Sequence, residues 1–293
     1  MTRAIVLASI VGTGGLSMAA GVQDRDAPRI IRMQTLNVRD ILYVLTGGGG
    51  NTLALMRDDG VVLIDTKLPG WGRSILETIQ AVTDKPVTMT INTHTHPDHT
   101  GGNIEFPTAT EIVAHENTKA NMQKMDAFKG PNAKFLPNKT VTDHLTLLDG
   151  PDRIDLYYFG RGHTNGDAWV VFPALRLMHA GDIFSGKNIP LLDANNGGSG
   201  VMIGDTLAKA AGSVKNIDTI ITGHSTTMTI ADLKEYAQFN REFANDVRAA
   251  KKAGKSVDDV ANTWKIPAKY TGYAAPAAAR LKANVQVVFD ELK

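Results

Sequence analysis

Short apolar runs alternate with glycine or Asp-Gly turns through the first half of the chain, a pattern typical of β-strands. It predicts strands over residues 41–45, 52–56, 61–64 and 87–91. Between the third and fourth runs, Ile75, Leu76 and Ile79 recur at helical spacing, and Pro86 precedes the next strand. This part of the sequence therefore predicts a β-α-β unit.

The second half repeats this alternation of strands and helices. Strands are predicted over residues 111–114, 141–148, 154–159, 168–172 and 217–221, and helices over 116–125 and 206–211. A long helix is predicted from Thr229, where Asp232 completes a capping box, then a short helix from Ser256 and a third over 274–292. The pattern predicts a layered α/β domain of two similar halves over residues 30–293, including a C-terminal helical extension over 229–293.

The first 20 residues have the pattern of a secretory signal peptide. Arg3 precedes an apolar run over residues 4–11, and small residues lead to a predicted cleavage site near Ala19 or Ala20. The mature protein is therefore predicted to be periplasmic or secreted, and cytoplasmic if the leader is not a signal. No later apolar run reaches the roughly 18 residues that a membrane span needs, so no membrane partner is expected for the mature form.

Composition narrows the classes of function. The 293 residues include 31 Lys+Arg and 30 Asp+Glu, a formal net charge of +1, which does not indicate a nucleic-acid partner. There is no cysteine, so a metal site must use histidine and carboxylate ligands. A small-molecule substrate is the partner that remains, and the oligomeric state stays open.

One segment concentrates the candidate chemistry. Residues 92–102 follow directly on a predicted strand and contain His94, His96, Asp98 and His99. Residues two apart on an extended segment point the same way, so His94 and His96 can bind one ion while Asp98 and His99 face a neighbouring position. The spacing predicts two adjacent metal sites.

Each predicted site needs further ligands, and three candidates follow glycines at strand or loop ends. They are His163, Asp182 and His224. The combined set offers nitrogen and oxygen but no sulfur, which suits two Zn²⁺ ions and leaves manganese or iron open. The remaining histidines, His115, His144 and His179, are predicted to be structural or surface residues, because a lone histidine without a spaced partner does not indicate a metal site. His179 is the exception to consider, as a group that supports the ligands from behind.

These motifs resemble the metallo-β-lactamase superfamily over residues 35–225. Its blocks occur in order: Val62-Leu-Ile-Asp65-Thr66, His94-x-His96-x-Asp98-His99, His163, Gly181-Asp182 and Gly223-His224. The resemblance implies a four-layer αββα sandwich in which the first metal is held by His94, His96 and His163. It further implies that Asp98, His99 and His224 hold the second metal, that Asp182 bridges or caps the pair, and that Asp65 orients a ligand from behind.

Two adjacent divalent cations lower the pKa of a bridging water to about 7, so hydroxide is the predicted nucleophile, oriented by Asp98. The predicted reaction opens a cyclic amide or ester, of β-lactam or lactone type. The aspartate at position 182 is similar to that of glyoxalase II-type thioesterases and lactonases, whereas true metallo-β-lactamases usually have cysteine or serine there. A thioesterase or an iron-dependent redox protein of the same superfamily therefore stays open.

The resemblance also suggests groups around the substrate. Lys187, Asn195 and Asn196 lie downstream of Asp182, roughly where some β-lactamases contact the substrate, although the lysine spacing is longer here. The glycine-rich stretch 47–51 falls where those enzymes have a mobile hairpin loop over the site. A surface lysine and an ordinary hairpin turn are the alternative interpretations.

Overall fold

A computed structural model describes residues 32–35, 41–225 and 227–292. The predicted signal peptide, residues 1–20, lies outside the described residues. Of the helices in the described part, none is long and apolar enough to cross a lipid bilayer.

The first half of the chain forms a seven-stranded sheet in sequence order. Neighbours are antiparallel from β1 to β4 and parallel from β4 to β7. The strands are β1 (Arg32–Thr35), β2 (Leu42–Thr46), β3 (Thr52–Arg57), β4 (Gly60–Ile64), β5 (Val87–Asn92), β6 (Glu111–His115) and β7 (Lys139–Val141).

The second half forms a six-stranded sheet in the order β13-β12-β11-β10-β9-β8. Only β11 and β12 pair in parallel, and the other neighbours are antiparallel within this described sheet. The strands are β8 (His144–Leu147), β9 (Ile154–Tyr157), β10 (Trp169–Phe172), β11 (Leu177–His179), β12 (Thr219–Ile221) and β13 (Thr227–Met228).

The sheets pack face to face, and helices cover their outer faces. The helices are α1 (Gly72–Ile79), α2 (Pro97–Thr100), α3 (Glu116–Met122), α4 (Ile203–Ser213), α5 (Ile230–Lys252), α6 (Val257–Thr263) and α7 (Ala278–Glu291). Side chains such as Ile64 and Ile91 meet Val170 and Phe172 between the sheets. Ile75 of α1 packs on the outer face of the first sheet.

The outer face of the second sheet is covered by α4 and α5, through side chains such as Leu207 and Leu233. Thus the layers run helix, sheet, sheet, helix, which confirms the predicted four-layer αββα sandwich. The extra C-terminal helices are also confirmed: Val247 of α5, Val260 of α6 and Val285 of α7 share one further apolar cluster. Capping boxes begin α5 at Thr229 and α6 at Ser256, as the sequence predicts.

Some predicted boundaries were wrong. Residues 141–148 do not form one strand, because β7 pairs with β6 in the first sheet and β8 pairs with β9 in the second. The chain crosses between the sheets here, and an apolar pattern cannot separate the two strands because Val141 and Leu147 enter the same core. The third C-terminal helix begins at Ala278 rather than residue 274, after Pro276. The short strands β1, β11 and β13 and the single-turn helix α2 were missed.

Candidate metal centre

The predicted ligands converge on one edge of the sandwich because they follow strands that end there. His94 and His96 lie in the loop after β5, and the one-turn helix α2 carries Asp98 and His99. In the second sheet, Asp182 and His224 follow the parallel strands β11 and β12, and His163 follows β9. The carboxyl ends of β5, β11 and β12 therefore meet at the site.

All seven side chains form two adjacent clusters. In each cluster, the potential ligand atoms lie within 4.8 Å of one another. One contains His94, His96, His163 and Asp182, and the other contains Asp98, His99 and His224.

Asp182 joins the two clusters. Its Oδ1 lies 3.2 Å from His99 Nε2, and its Oδ2 lies 3.2 Å from His224 Nε2 and 3.9 Å from His163 Nε2. Gly223 allows this close approach, since a Cβ there would lie 1.8 Å from Asp182 Oδ1. This carboxylate therefore contacts ligands on both sides.

The donor set fits a pair of divalent cations. His94 Nε2 is buried without a hydrogen-bond partner among the described residues, although it belongs to the first cluster. A buried nitrogen of this kind is costly unless something binds it. Imidazole and carboxylate donors without sulfur are typical of zinc and do not exclude manganese or iron.

Protons occupy part of this centre when no cation is bound. Burial opposes a charge on His99, but the carboxylates of Asp182 and Asp65 outweigh it and hold the pKa of His99 well above its usual value. Hydrogen bonds to Asp182 and Asp98 raise the pKa of His224 to about 9. Burial, reinforced by the charge on His99, holds the pKa of His94 well below its usual value. Cations that bind the second cluster must therefore displace protons.

Asp65 supports the second cluster from behind. Its Oδ2 accepts a hydrogen bond from His99 Nδ1 at 2.6 Å and another from Thr93 Oγ1 at 2.7 Å. The carboxyl is fully buried, and the charge on His99 overcomes burial to lower its pKa. Asp65 thereby fixes the ring of His99 with Nε2 turned toward the cluster. His179, the histidine singled out from the sequence as a candidate supporting group, is buried behind this pair, with Nε2 3.7 Å from Asp65 Oδ2.

Sequence reasoning missed a second supporting carboxylate, Asp193. Its Oδ2 accepts a hydrogen bond from His96 Nε2 at 2.7 Å, which leaves His96 Nδ1 turned toward His163 Nε2 at 3.0 Å. The two residues are 97 positions apart in the chain, so no local sequence pattern predicts this contact. The only sequence signal is the Asp193-Ala-Asn-Asn196 turn, in which backbone amides bond the same carboxylate.

The three residues predicted to contact the substrate do not line the cavity at the metal ligands. Lys187 Nζ pairs with Asp232 at 3.3 Å and Glu235 at 3.1 Å on α5. The side-chain amide of Asn196 donates to Asp193, and Asn195 is exposed. None of the three is among the residues that line the cavity of about 330 Å³ at the metal ligands. The cavity wall therefore gives no support to their predicted role in binding the substrate.

That cavity opens directly onto both clusters. Four of its lining residues are candidate ligands and four are not. They are His96, Asp98, Asp182 and His224, and then Ser185, Asn188, Leu191 and Arg280. Arg280 comes from α7 in the C-terminal extension, 56 positions after the last ligand, and sequence reasoning missed it.

The glycine-rich stretch packs against the metal motif. Gly50 N donates to Asp98 O at 3.2 Å, and a Cβ at Gly50 would lie 2.2 Å from His99 Cε1. Lys67, fully buried, donates from Nζ to Leu45 O and Gly50 O at 2.8 Å each. Hydrogen bonds from Lys67 and to Asp98 thus hold the glycine-rich stretch against the site.

Lys67 predicts a pH dependence of stability. Burial lowers the pKa of Lys67 from 10.5 to about 7, so the unfolded chain binds more protons between these values. Its contribution to the free energy of unfolding should therefore rise with pH across this window, by at most about 1.4 kcal/mol per pH unit. Urea denaturation of the metal-free wild type and Lys67→Met at pH 7, 8 and 9 should show a stability difference that grows with pH. A constant difference would contradict this, and Lys85→Met, an exposed lysine, is the control.

Comparisons with known proteins agree with this architecture. Residues 45–224 match the family model of the metallo-beta-lactamase superfamily. The 2,4-dinitroanisole O-demethylase subunit alpha of Nocardioides sp. (strain JS1661) is 33% identical over 160 residues, 53% of this chain and 47% of that protein. A metallo-beta-lactamase type 2 of Elizabethkingia meningoseptica is 28% identical over 158 residues, 50% of this chain and 60% of that protein. The matches thus span about half the length of these relatives.

A solved structure shares the fold at low sequence identity. The metallo-beta-lactamase from Pontibacter korlensis superposes with a TM-score of 0.61 and 18% identity, covering 72% of this chain and 99% of that one. The two sequence relatives differ in the activities that their names state, so the family alone does not choose a substrate.

Proposed function

Because the chain belongs to the metallo-β-lactamase superfamily, we propose that it is a dinuclear zinc hydrolase that opens a cyclic amide or ester at the carbonyl carbon. The observation that supports this most is the pair of ligand clusters joined by Asp182. His94, His96 and His163 would hold one ion and Asp98, His99 and His224 the other, with Asp182 between them. Bound zinc ions would polarise the substrate carbonyl and lower the pKa of water.

Asp98 is the group we assign to proton handling. It is half-buried, lines the cavity, and its Oδ2 lies 3.1 Å from His224 Nε2. An acceptor at the cavity wall can orient the attacking water and take its proton. The hydrogen bond from His224 helps to lower the pKa of Asp98 against the effect of burial, so the carboxylate is ionised at neutral pH and ready to accept.

A glyoxalase II-type thioesterase is less well supported. Such an enzyme would need basic residues in the C-terminal region to hold glutathione. Two lysines there are paired with acidic side chains, Lys269 with Glu242 and Lys282 with Asp258. Of the basic residues in this described region, Arg280 is the one that lines the cavity at the candidate ligands.

The proposed activity is tested with nitrocefin and an acyl-homoserine lactone, assayed before chelation, after chelation and after zinc return. We expect opening of at least one ring, its loss with the chelator, and its recovery with zinc. A glutathione thioester assayed beside them identifies a thioesterase if it alone is hydrolysed. Failure of both ring substrates at high enzyme concentration would refute the proposal.

A further inference from the structure

We infer that Arg280 binds a carboxylate of the substrate and so makes the site selective for anionic substrates. The inference rests on the proposed function and names the substrate class for that same site. Arg280 lies in the first turn of α7 and lines the cavity together with the candidate ligands Asp98, Asp182 and His224. Among the described residues that line this cavity, it is the one lysine or arginine.

The guanidinium of Arg280 is free to take a ligand. Within the described ranges, no carboxylate forms an ion pair or hydrogen bond with it, although it is close enough to Tyr236 to affect that hydroxyl electrostatically. Two other basic side chains have acidic partners: Lys187 pairs with Asp232 and Glu235, and Arg161 lies 3.5 Å from Glu291. The guanidinium of Arg280 is therefore available to bind an anion that enters the cavity.

Packing of its neighbours holds the backbone of Arg280 beside the cavity. The next residue, Leu281, is buried, as is Val285 one turn further on. Asn284 Nδ2 donates to Pro190 O at 2.7 Å, which joins α7 to the segment whose next residue, Leu191, lines the cavity. The first turn of α7, which carries Arg280, is therefore fixed relative to the cavity wall.

The charges in the cavity explain what Arg280 would bind. Asp98 and Asp182 would be neutralised by cations, and the hydroxyl of Ser185 donates to Asn188 Oδ1 at 3.2 Å. Apart from the metal ligands, the wall then offers two neutral polar side chains, one leucine and one guanidinium. A guanidinium binds a carboxylate through two parallel hydrogen bonds, a geometry that lysine cannot reproduce. Substrates with a carboxylate near the scissile bond should thus be preferred over neutral lactones.

The test compares nitrocefin, which carries a carboxylate, with its neutral methyl ester. In the zinc-loaded Arg280→Gln variant, we expect kcat/KM for the acid to fall about 10- to 100-fold, as for loss of a charged hydrogen-bonded pair, with the ester little changed. Arg280→Lys should recover only part of the preference for the acid. Arg248→Gln, a change at an exposed arginine of α5, should leave kcat/KM unchanged for both substrates.

A binding measurement separates this inference from the proposed activity. Ring-opened nitrocefin, a dicarboxylate, and its ring-opened methyl ester, which keeps only the carboxylate formed by ring opening, are titrated calorimetrically into zinc-loaded wild type and Arg280→Gln. We expect the wild type to bind the acid more tightly and the variant to lose that preference. Equal affinities in the wild type, no measurable binding, or equal losses for acid and ester would overturn the role of Arg280. If the acid preference holds but no ring is hydrolysed, the proposed activity fails and the anion site stands.

Discussion

Replacing Asp98 with asparagine is expected to lower kcat for ring opening by about 10²–10⁴-fold, the range for loss of a positioned general base. Asparagine has nearly the same size as aspartate, but it cannot accept the proton of the attacking water. The carboxylate lies at the cavity wall, 3.1 Å from His224 Nε2, so the substitution also removes a charge from the second cluster. The assay should therefore be run at saturating zinc, with metal content measured on the same samples.

The matched control is Asp143→Asn, which makes the same chemical change at an exposed position between β7 and β8. It should retain wild-type kcat. If Asp98→Asn holds both ions and keeps kcat within about 3-fold of wild type, Asp98 handles no proton in the rate-limiting step and its assignment is wrong.

Replacing Asp65 with asparagine should cost both stability and metal affinity. Asp65 and His99 form a buried ion pair in the metal-free protein, with 2.6 Å between Oδ2 and Nδ1. Removing one partner of a buried pair leaves the other charge unpaired, so we expect the free energy of unfolding to fall by about 3–5 kcal/mol. Loss of the group that orients a ligating imidazole should weaken zinc binding at the second cluster by about 10- to 100-fold.

A second buried carboxylate separates these two effects. Asp155 is buried in the second sheet and bonds Thr146 and Arg153, away from the candidate ligands. Asp155→Asn should destabilise the fold while leaving zinc affinity unchanged. Competition with a chromophoric chelator gives the affinities, and urea denaturation gives the stabilities. An Asp65→Asn protein with wild-type zinc affinity would show that Asp65 has a purely structural role.

The sequence predicts that the candidate ligands lie together, because they follow strand ends or fall in one short motif. His94, His96, Asp98 and His99 fall within six residues, so their proximity follows from chain connectivity. His163, Asp182 and His224 follow glycines after strands, and the family resemblance supplies their roles. The short apolar runs predict strands of both sheets, because strands that are buried on both faces, such as β4 and β10, are apolar along most of their length.

The groups around the ligands could not be predicted, because packing between distant segments brings them to the site. Asp193 reaches His96 across 97 positions, and Arg280 reaches the cavity only because α7 docks onto the segment at Pro190. Lys187 was predicted to contact the substrate from its position in the sequence, but it forms ion pairs with Asp232 and Glu235 of α5 and does not line the cavity. Sequence spacing cannot show which of two basic residues finds an internal partner.

The measurement that tests the central claim most directly is the metal content per chain of the purified protein, determined by elemental analysis before and after zinc loading and removal of free metal. The two clusters joined by Asp182 predict two zinc ions per chain, with hydrolysis that returns in step with zinc occupancy. One iron per chain without hydrolysis would mean that the ligands hold a redox metal, and it would contradict the dinuclear hydrolase.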